Sequence, residues 1–94
     1  MLTYSTEYLD DADKLHTREF GSDLSRARAQ ARRLSAKDHH LMVYVVATED
    51  HRDSLERVGA EAYAYGRRDH TEGRMLPERP AGIPMRNMRD FDRL

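Results

Sequence analysis

The chain has 94 residues, of which 38% are hydrophobic and 35% are charged, and its formal net charge is −1. This length predicts one small domain with a thin core, such as one sheet covered by one helix. The absence of cysteine excludes disulfides, thiolate catalysis and cysteine zinc sites. No segment has the length and apolar character of a transmembrane helix or a signal peptide, so we expect a cytoplasmic protein.

The first twenty residues predict a β-hairpin. Residues 2–9 alternate between more apolar and more polar positions, which is typical of a half-buried strand. The cluster Asp10-Asp11-Ala12-Asp13 predicts a turn, and residues 15–20 then return as a polar edge strand.

The next element is predicted to be an amphipathic helix with Ser22 as its N-cap. Its apolar residues recur at steps of three and four and form one narrow stripe: Leu24, Ala27, Ala31 and Leu34. Residues 25–37 carry five bases and no acid, whereas residues 1–24 and 38–72 each carry a charge of −4. The near-neutral total therefore hides a basic helix between two acidic regions.

The most apolar stretch, residues 41–48, predicts the central strand of a sheet because both of its faces are apolar. Residues 49–59 allow two interpretations: a hairpin loop followed by a strand that continues to Tyr65, or a short helix that ends at Gly59. The turn-forming residues at 49–54 favour the hairpin. The charged residues 66–73 are expected to be the end of that strand or a protruding loop.

The element order predicts an α+β domain over residues 1–73, with an antiparallel sheet of about four strands in ββαββ order. The helix is expected on one face of the sheet, with tyrosines and charges available on the other. Residues 74–94 predict an irregular C-terminal tail, because three prolines interrupt them at Pro77, Pro80 and Pro84. We expect this tail to add little to the stability of the domain.

The chain contains no recognisable catalytic or metal-binding motif. The adjacent His39 and His40 cannot form the i, i+4 pair of a helical zinc site. His16 and His70 have the chemistry for acid–base cleavage of RNA, but nothing in the sequence brings them together. We therefore predict a protein that is not an enzyme and that binds no cofactor or metal.

The basic helix is the sharpest feature, and it has two interpretations. Its bases either grip phosphates of a nucleic acid or form a solvated helix face whose charges meet acids of the neighbouring strands. The acidic regions nearly balance the helix, which favours the second interpretation. The residues of the nucleic-acid alternative are Arg26, Arg28, Arg32, Arg33, Lys37, Arg67 and Arg68.

Acids around the predicted hairpin loop, together with tyrosines of the following strand, predict a contact with a protein partner. Carboxylates can mimic phosphates in the basic groove of a nucleoprotein, and tyrosines are common at interfaces. The predicted partner-binding residues are Glu49, Asp50, Asp53, Glu56, Tyr63 and Tyr65.

In size, element order, mixed charge and absence of catalytic motifs, residues 1–72 resemble several small proteins encoded by phages and mobile elements, including anti-CRISPR proteins. This resemblance implies a stoichiometric inhibitor that occupies a surface of a nucleoprotein complex. We therefore expect a protein-binding module whose partner is a protein or nucleoprotein complex. Direct nucleic-acid binding by the basic helix is the alternative.

Overall fold

A computed structural model describes residues 1–38, 41–71 and 89–94. The elements in these ranges are β1 (Leu2–Leu9), β2 (Leu15–Glu19), α1 (Leu24–Lys37), β3 (Val43–Asp50), β4 (Leu55–Ala64), β5 (Arg67–Thr71) and a short 3-10 helix (Phe91–Arg93). The strands form one antiparallel sheet in the order β2-β1-β3-β4-β5. The predicted α+β fold, an antiparallel sheet with one helix, is confirmed.

Strand β3 lies at the centre of the sheet, as its two apolar faces predict. Val43, Val45 and Ala47 belong to the core cluster that includes residues of α1, because alternate strand residues share a face. Tyr44 and Val46 belong to a second cluster on the opposite face. All five are buried, so neither face of β3 is open to solvent over residues 43–47.

The hairpin interpretation of residues 49–59 is confirmed, and the short-helix alternative is wrong. Strand β4 starts at Leu55 and pairs with β3. The register shifts between Ala47 and Thr48, which leaves Val58 as the extra residue of a β-bulge. Because of the bulge, Val58 joins the core cluster on the α1 side while Arg57 lies on the other face.

The sheet has a fifth strand where the sequence predicted a strand end or a loop. Tyr65 and Gly66 have φ angles of 54° and 78° and form a tight turn between β4 and β5. A Cβ at Gly66 would lie 3.0 Å from the Cβ of Ala36 on α1. The Gly66 N–H donates to the Ser35 hydroxyl at 3.1 Å. The turn is therefore held against the helix, and β5 begins at the next residue, Arg67.

The N-cap of helix α1 lies one residue later than predicted. Asp23, not Ser22, caps the helix, because its carboxylate accepts the Arg26 N–H at 3.1 Å. The face turned to the sheet buries Ala27, Ala31 and Ser35. These small side chains let the helix lie close to the strands.

The C-terminal residues contribute to the core, although the sequence predicted a tail of little consequence. The Arg89 N–H donates to the Val58 carbonyl at 2.8 Å. Phe91 is only 3% exposed, and its ring centroid lies 6.2 Å from that of Tyr4. The core therefore includes a residue beyond position 73. The rest of the predicted tail and the His39–His40 pair lie outside the described residues.

Candidate functional site

Two of the predicted nucleic-acid-binding residues, Arg28 and Arg68, bind a buried carboxylate instead. Glu61 on β4 has no exposed area. Arg28 donates to it twice, from Nε to Oε1 at 2.7 Å and from Nη2 to Oε2 at 3.2 Å. Arg68 on β5 donates to Oε2 at 3.3 Å. The two-point contact with a fully buried carboxylate makes this pair part of the fold, and its hydrogen bond raises the pKa of Arg28.

The tyrosines of β3, β4 and the β4–β5 turn lie in different environments. Tyr63 faces the core with no exposed area, and its hydroxyl donates to Glu61 Oε1 at 2.8 Å. Desolvation and this hydrogen bond raise the pKa of Tyr63 to about 12. Tyr44 is buried on the opposite face, and Tyr65 is 65% exposed in the turn. Of the predicted contact residues Tyr63 and Tyr65, only Tyr65 is accessible to a partner.

The other four bases of α1 are exposed on its outer side, and we call them the basic helix surface: Arg26, Arg32, Arg33 and Lys37. None of the four forms an ion pair with any residue that the structure describes. The Arg26 guanidinium lies 5.9 Å from the centroid of the Phe20 ring. The Arg32 guanidinium lies 5.5 Å from the centroid of Tyr63. Stacking on rings leaves their charge available to an incoming anion.

Of the four predicted acidic contact residues at the β3–β4 hairpin, two are engaged locally. Glu49 Oε2 accepts from Arg89 at 3.2 Å, and its other oxygen lies 3.6 Å from the N-terminal ammonium. The hydrogen bond from Arg89 is the main cause that lowers the pKa of Glu49. Glu56 Oε2 lies 3.7 Å from His51 Nε2. The other two are exposed in or beside the loop: Asp50 and Asp53.

A groove that no sequence pattern indicated runs between α1 and the edge strand β2. Its volume is about 210 Å³. We call it the α1–β2 groove, and its lining residues include Thr6, Tyr8, His16, Arg18, Gln30 and Leu34. Gln30 shares one side of α1 with Arg26 and Arg33, because residues at i, i+4 and i+7 align on a helix. Arg26 and Arg33 of the basic helix surface therefore border the groove, whereas Arg32 is on the side of α1 that meets Tyr63.

A second buried carboxylate, Glu7 on β1, lies on the face away from α1 and was also missed. Its side chain has no exposed area, and its nearest described cation is Arg57, with Nη2 at 3.4 Å from Oε1. Glu7 Oε2 and Arg57 Nε have no hydrogen-bond partner among the described residues. Desolvation outweighs the attraction of Arg57 and raises the pKa of Glu7.

The two histidines with the chemistry for RNA cleavage are not brought together. His16 lies on β2, and the backbone of His70 lies on β5. These strands form opposite edges of the sheet, with three strands between them. Among the described residues, no group of three or more histidines and carboxylates is arranged to hold a metal ion.

Comparison with known proteins finds no match to this chain among protein-family models, curated proteins or solved structures. Over the residues that the structure describes, no helix combines the length and apolar character needed to cross a membrane.

Proposed function

We propose that this protein is a non-enzymatic nucleic-acid-binding protein that contacts phosphates through the basic helix surface. The observation that carries the proposal is the unpaired state of that surface within the described residues. The sequence favoured a protein-binding module over nucleic-acid binding, on the assumption that neighbouring acids neutralise the bases of the helix. Of the five bases of α1, only Arg28 has an acidic partner there.

The net charge of −1 is compatible with this proposal because the acids and bases occupy different segments. Screening limits the reach of surface charges to about 8 Å at physiological ionic strength, so a phosphate on α1 responds mainly to its immediate surroundings. The helix itself carries no acid. Arginine also presents a planar set of donors that matches the oxygens of a phosphate.

The absence of cysteine fits a reducing compartment, and a cytoplasmic location is part of the proposal. Binding through phosphates needs no catalytic group, which agrees with the proposal that the protein is not an enzyme. Such contacts position a protein on nucleic acid without reading its sequence, so we expect similar affinity for unrelated sequences.

The test is fluorescence anisotropy with labelled DNA and RNA over a range of salt concentrations. If the four cations each neutralise a phosphate, affinity should fall by roughly a hundredfold for a fourfold rise in salt. The double variant Arg26→Glu/Arg33→Glu should bind at least tenfold more weakly and show a shallower salt dependence, by roughly two neutralised phosphates.

The matched control reverses two exposed arginines elsewhere, Arg52 and Arg93, and so makes the same change in net charge. It should retain most of the binding if α1 is the contact surface. Equal losses from both double variants would mean that only net charge matters. A wild-type protein that ignores nucleic acid at low salt would overturn the proposal.

A protein-binding module of the anti-CRISPR kind, acting as a stoichiometric inhibitor, is the second candidate. Leu55 is 66% exposed at the β3–β4 hairpin, where Asp50 and Asp53 are also exposed. An exposed apolar side chain among carboxylates is a suitable anchor for a basic protein surface. This candidate predicts that Asp50→Lys/Asp53→Lys abolishes capture of the partner, while Arg26→Glu/Arg33→Glu weakens it less.

A further inference from the structure

The α1–β2 groove contains two aromatic rings that are already stacked. Tyr8 on β1 and His16 on β2 are cross-strand partners. Their ring centroids are 4.8 Å apart and their planes differ by 8°. Because β2 is an edge strand, the ring face of His16 that is turned away from Tyr8 points beyond the sheet. The His16 side chain is 40% exposed, so a further flat ring can reach it.

The His16 ring is held in place before any ligand arrives. Asp10 Oδ2 is 2.8 Å from His16 Nε2, and Asp10 Oδ1 accepts the backbone N–H groups of Ala12 and Lys14. The hydrogen bond to His16 is the main cause that lowers the pKa of Asp10 to about 2. Asp10 is therefore ionised throughout the physiological range, and it fixes the orientation of the imidazole. A fixed ring loses little conformational entropy when a ligand stacks on it.

Basic side chains lie on both walls of the groove that contains this stack. On β2, Arg18 follows His16 by two residues, which places them on the same face of the strand and roughly 7 Å apart. The Arg18 guanidinium lies 5.1 Å from the Phe20 centroid, and Arg26 of α1 shares that ring. On α1, Arg33 donates to Gln30, which lines the groove. Arg18 and Arg33 therefore place positive charge on both walls of the groove that contains the His16 ring.

We infer that the α1–β2 groove binds single-stranded nucleic acid, with one unpaired base stacked on His16 and adjacent phosphates on Arg18 and the basic helix surface. The inference rests on the proposed function, which it extends from phosphate contact to a class of nucleic acid. A duplex cannot use the His16 face, because its bases stack on one another. Any base presents a flat face to a ring, so the site discriminates strandedness and not sequence.

The experiment uses single-stranded oligonucleotides of about ten nucleotides, a typical site size, and duplexes of equal length. One position carries a fluorescent purine analogue whose emission is quenched when it stacks. Wild-type protein should prefer the single strand and quench the analogue. His16→Ala should weaken single-strand binding by roughly tenfold, the usual range for loss of one stacked base, and should abolish the quenching. Duplex binding should change little.

Two further variants distinguish the loss of a stacking ring from the loss of a charge and from a loss of folded structure. His16→Tyr keeps a flat ring and should restore both affinity and quenching. His51→Ala removes an equally exposed histidine from the β3–β4 loop and should behave like wild type. Melting curves of all variants check that the domain remains folded.

The outcomes distinguish this inference from the proposed function. If Arg26→Glu/Arg33→Glu abolishes binding but His16→Ala changes neither affinity nor quenching, the stacking site is wrong and the helix contact stands. If single strands and duplexes bind equally, the inference is also overturned. If wild-type protein binds neither form at low salt, the proposed function fails and the inference fails with it.

Discussion

Each face of the sheet buries one glutamate, and the two carboxylates differ in how many hydrogen-bond donors and cations surround them. On the α1 face, Glu61 accepts hydrogen bonds from Arg28, Arg68 and the Tyr63 hydroxyl. On the opposite face, the one described cation in contact with Glu7 is Arg57, at 3.4 Å, and Glu7 Oε2 has no hydrogen-bond partner among the described residues. A buried carboxylate is tolerated when its charge is compensated and its lone pairs are filled, and Glu61 meets both conditions better.

The difference follows from which elements reach each face. The α1 face receives a guanidinium from the helix and a second from β5, and Arg68 is itself held by Asp92 at 2.9 Å. The cation beside Glu7 comes from β4 alone, where the bulge turns Arg57 to that side. A helix packed on a sheet therefore supplies charge compensation as well as apolar cover. We expect the α1 face to dominate the stability of the domain.

The largest effect is expected from a charge placed at the centre of the α1 face. Val45 is fully buried and lies opposite Glu61 in the register. Val45→Asp adds a carboxylate next to an existing one, which should cost several kcal/mol and unfold a domain of this size. A melting curve followed by circular dichroism measures this loss of stability. Thr48→Asp, at a half-buried position beside Arg57, is the control and should fold. A folded Val45→Asp variant would contradict the central role of β3.

The next effect tests whether the C-terminal residues belong to the α1 face. Phe91→Ala should cost about 3 to 5 kcal/mol, because it empties a buried aromatic site in the core cluster. In a domain of this size the midpoint of melting should fall by more than about 10 °C. Arg93→Ala, in the same 3-10 helix and 85% exposed, should have almost no effect. A fall of only a few degrees for Phe91→Ala would support the tail that the sequence predicted.

The comparison of the two glutamates is tested by the same substitution at each. Glu61→Gln should destabilise the domain by about 3 kcal/mol, since Arg28 and Arg68 lose their carboxylate. The loss stays near the lower end of the usual range because both arginines remain partly exposed to water. Chemical denaturation at neutral pH gives the free energy of unfolding. Equal effects of Glu61→Gln and Glu7→Gln would break the comparison.

The smallest effect, and one of opposite sign, is expected at Glu7. Its pKa in the folded protein is raised above 4.5, so the folded state holds the proton more tightly than the unfolded state does. This contribution to stability is complete below about pH 4.5 and is lost as the pH rises through the folded pKa. Glu7→Gln should therefore raise the melting midpoint at neutral pH, and the gain should disappear below that pH. A variant less stable than wild type at neutral pH would show that Arg57 compensates Glu7 well.

The candidate site was predictable only in part. The five bases of α1 are visible in the sequence, and so is the shared spacing of Arg26, Gln30 and Arg33. Which basic side chains of α1 form an ion pair depends on which strand each side of the helix contacts. Arg28 lies against Glu61 from a strand more than thirty residues away, and no local pattern reveals that pairing. The stack of Tyr8 on His16 likewise depends on the register of β1 and β2.

The sequence by itself determined the class of fold and the presence of β1, β2, α1, β3 and β4. The doubly apolar β3, the alanine-rich stripe of α1 and the turn residues after Thr48 are local signals, because side-chain periodicity and turn chemistry act over a few residues. Only the tertiary structure decided the fifth strand, the core position of Phe91 and the different environments of Glu7 and Glu61. These depend on contacts between distant segments, whose energies come from burial and charge compensation and leave no periodic trace in the chain.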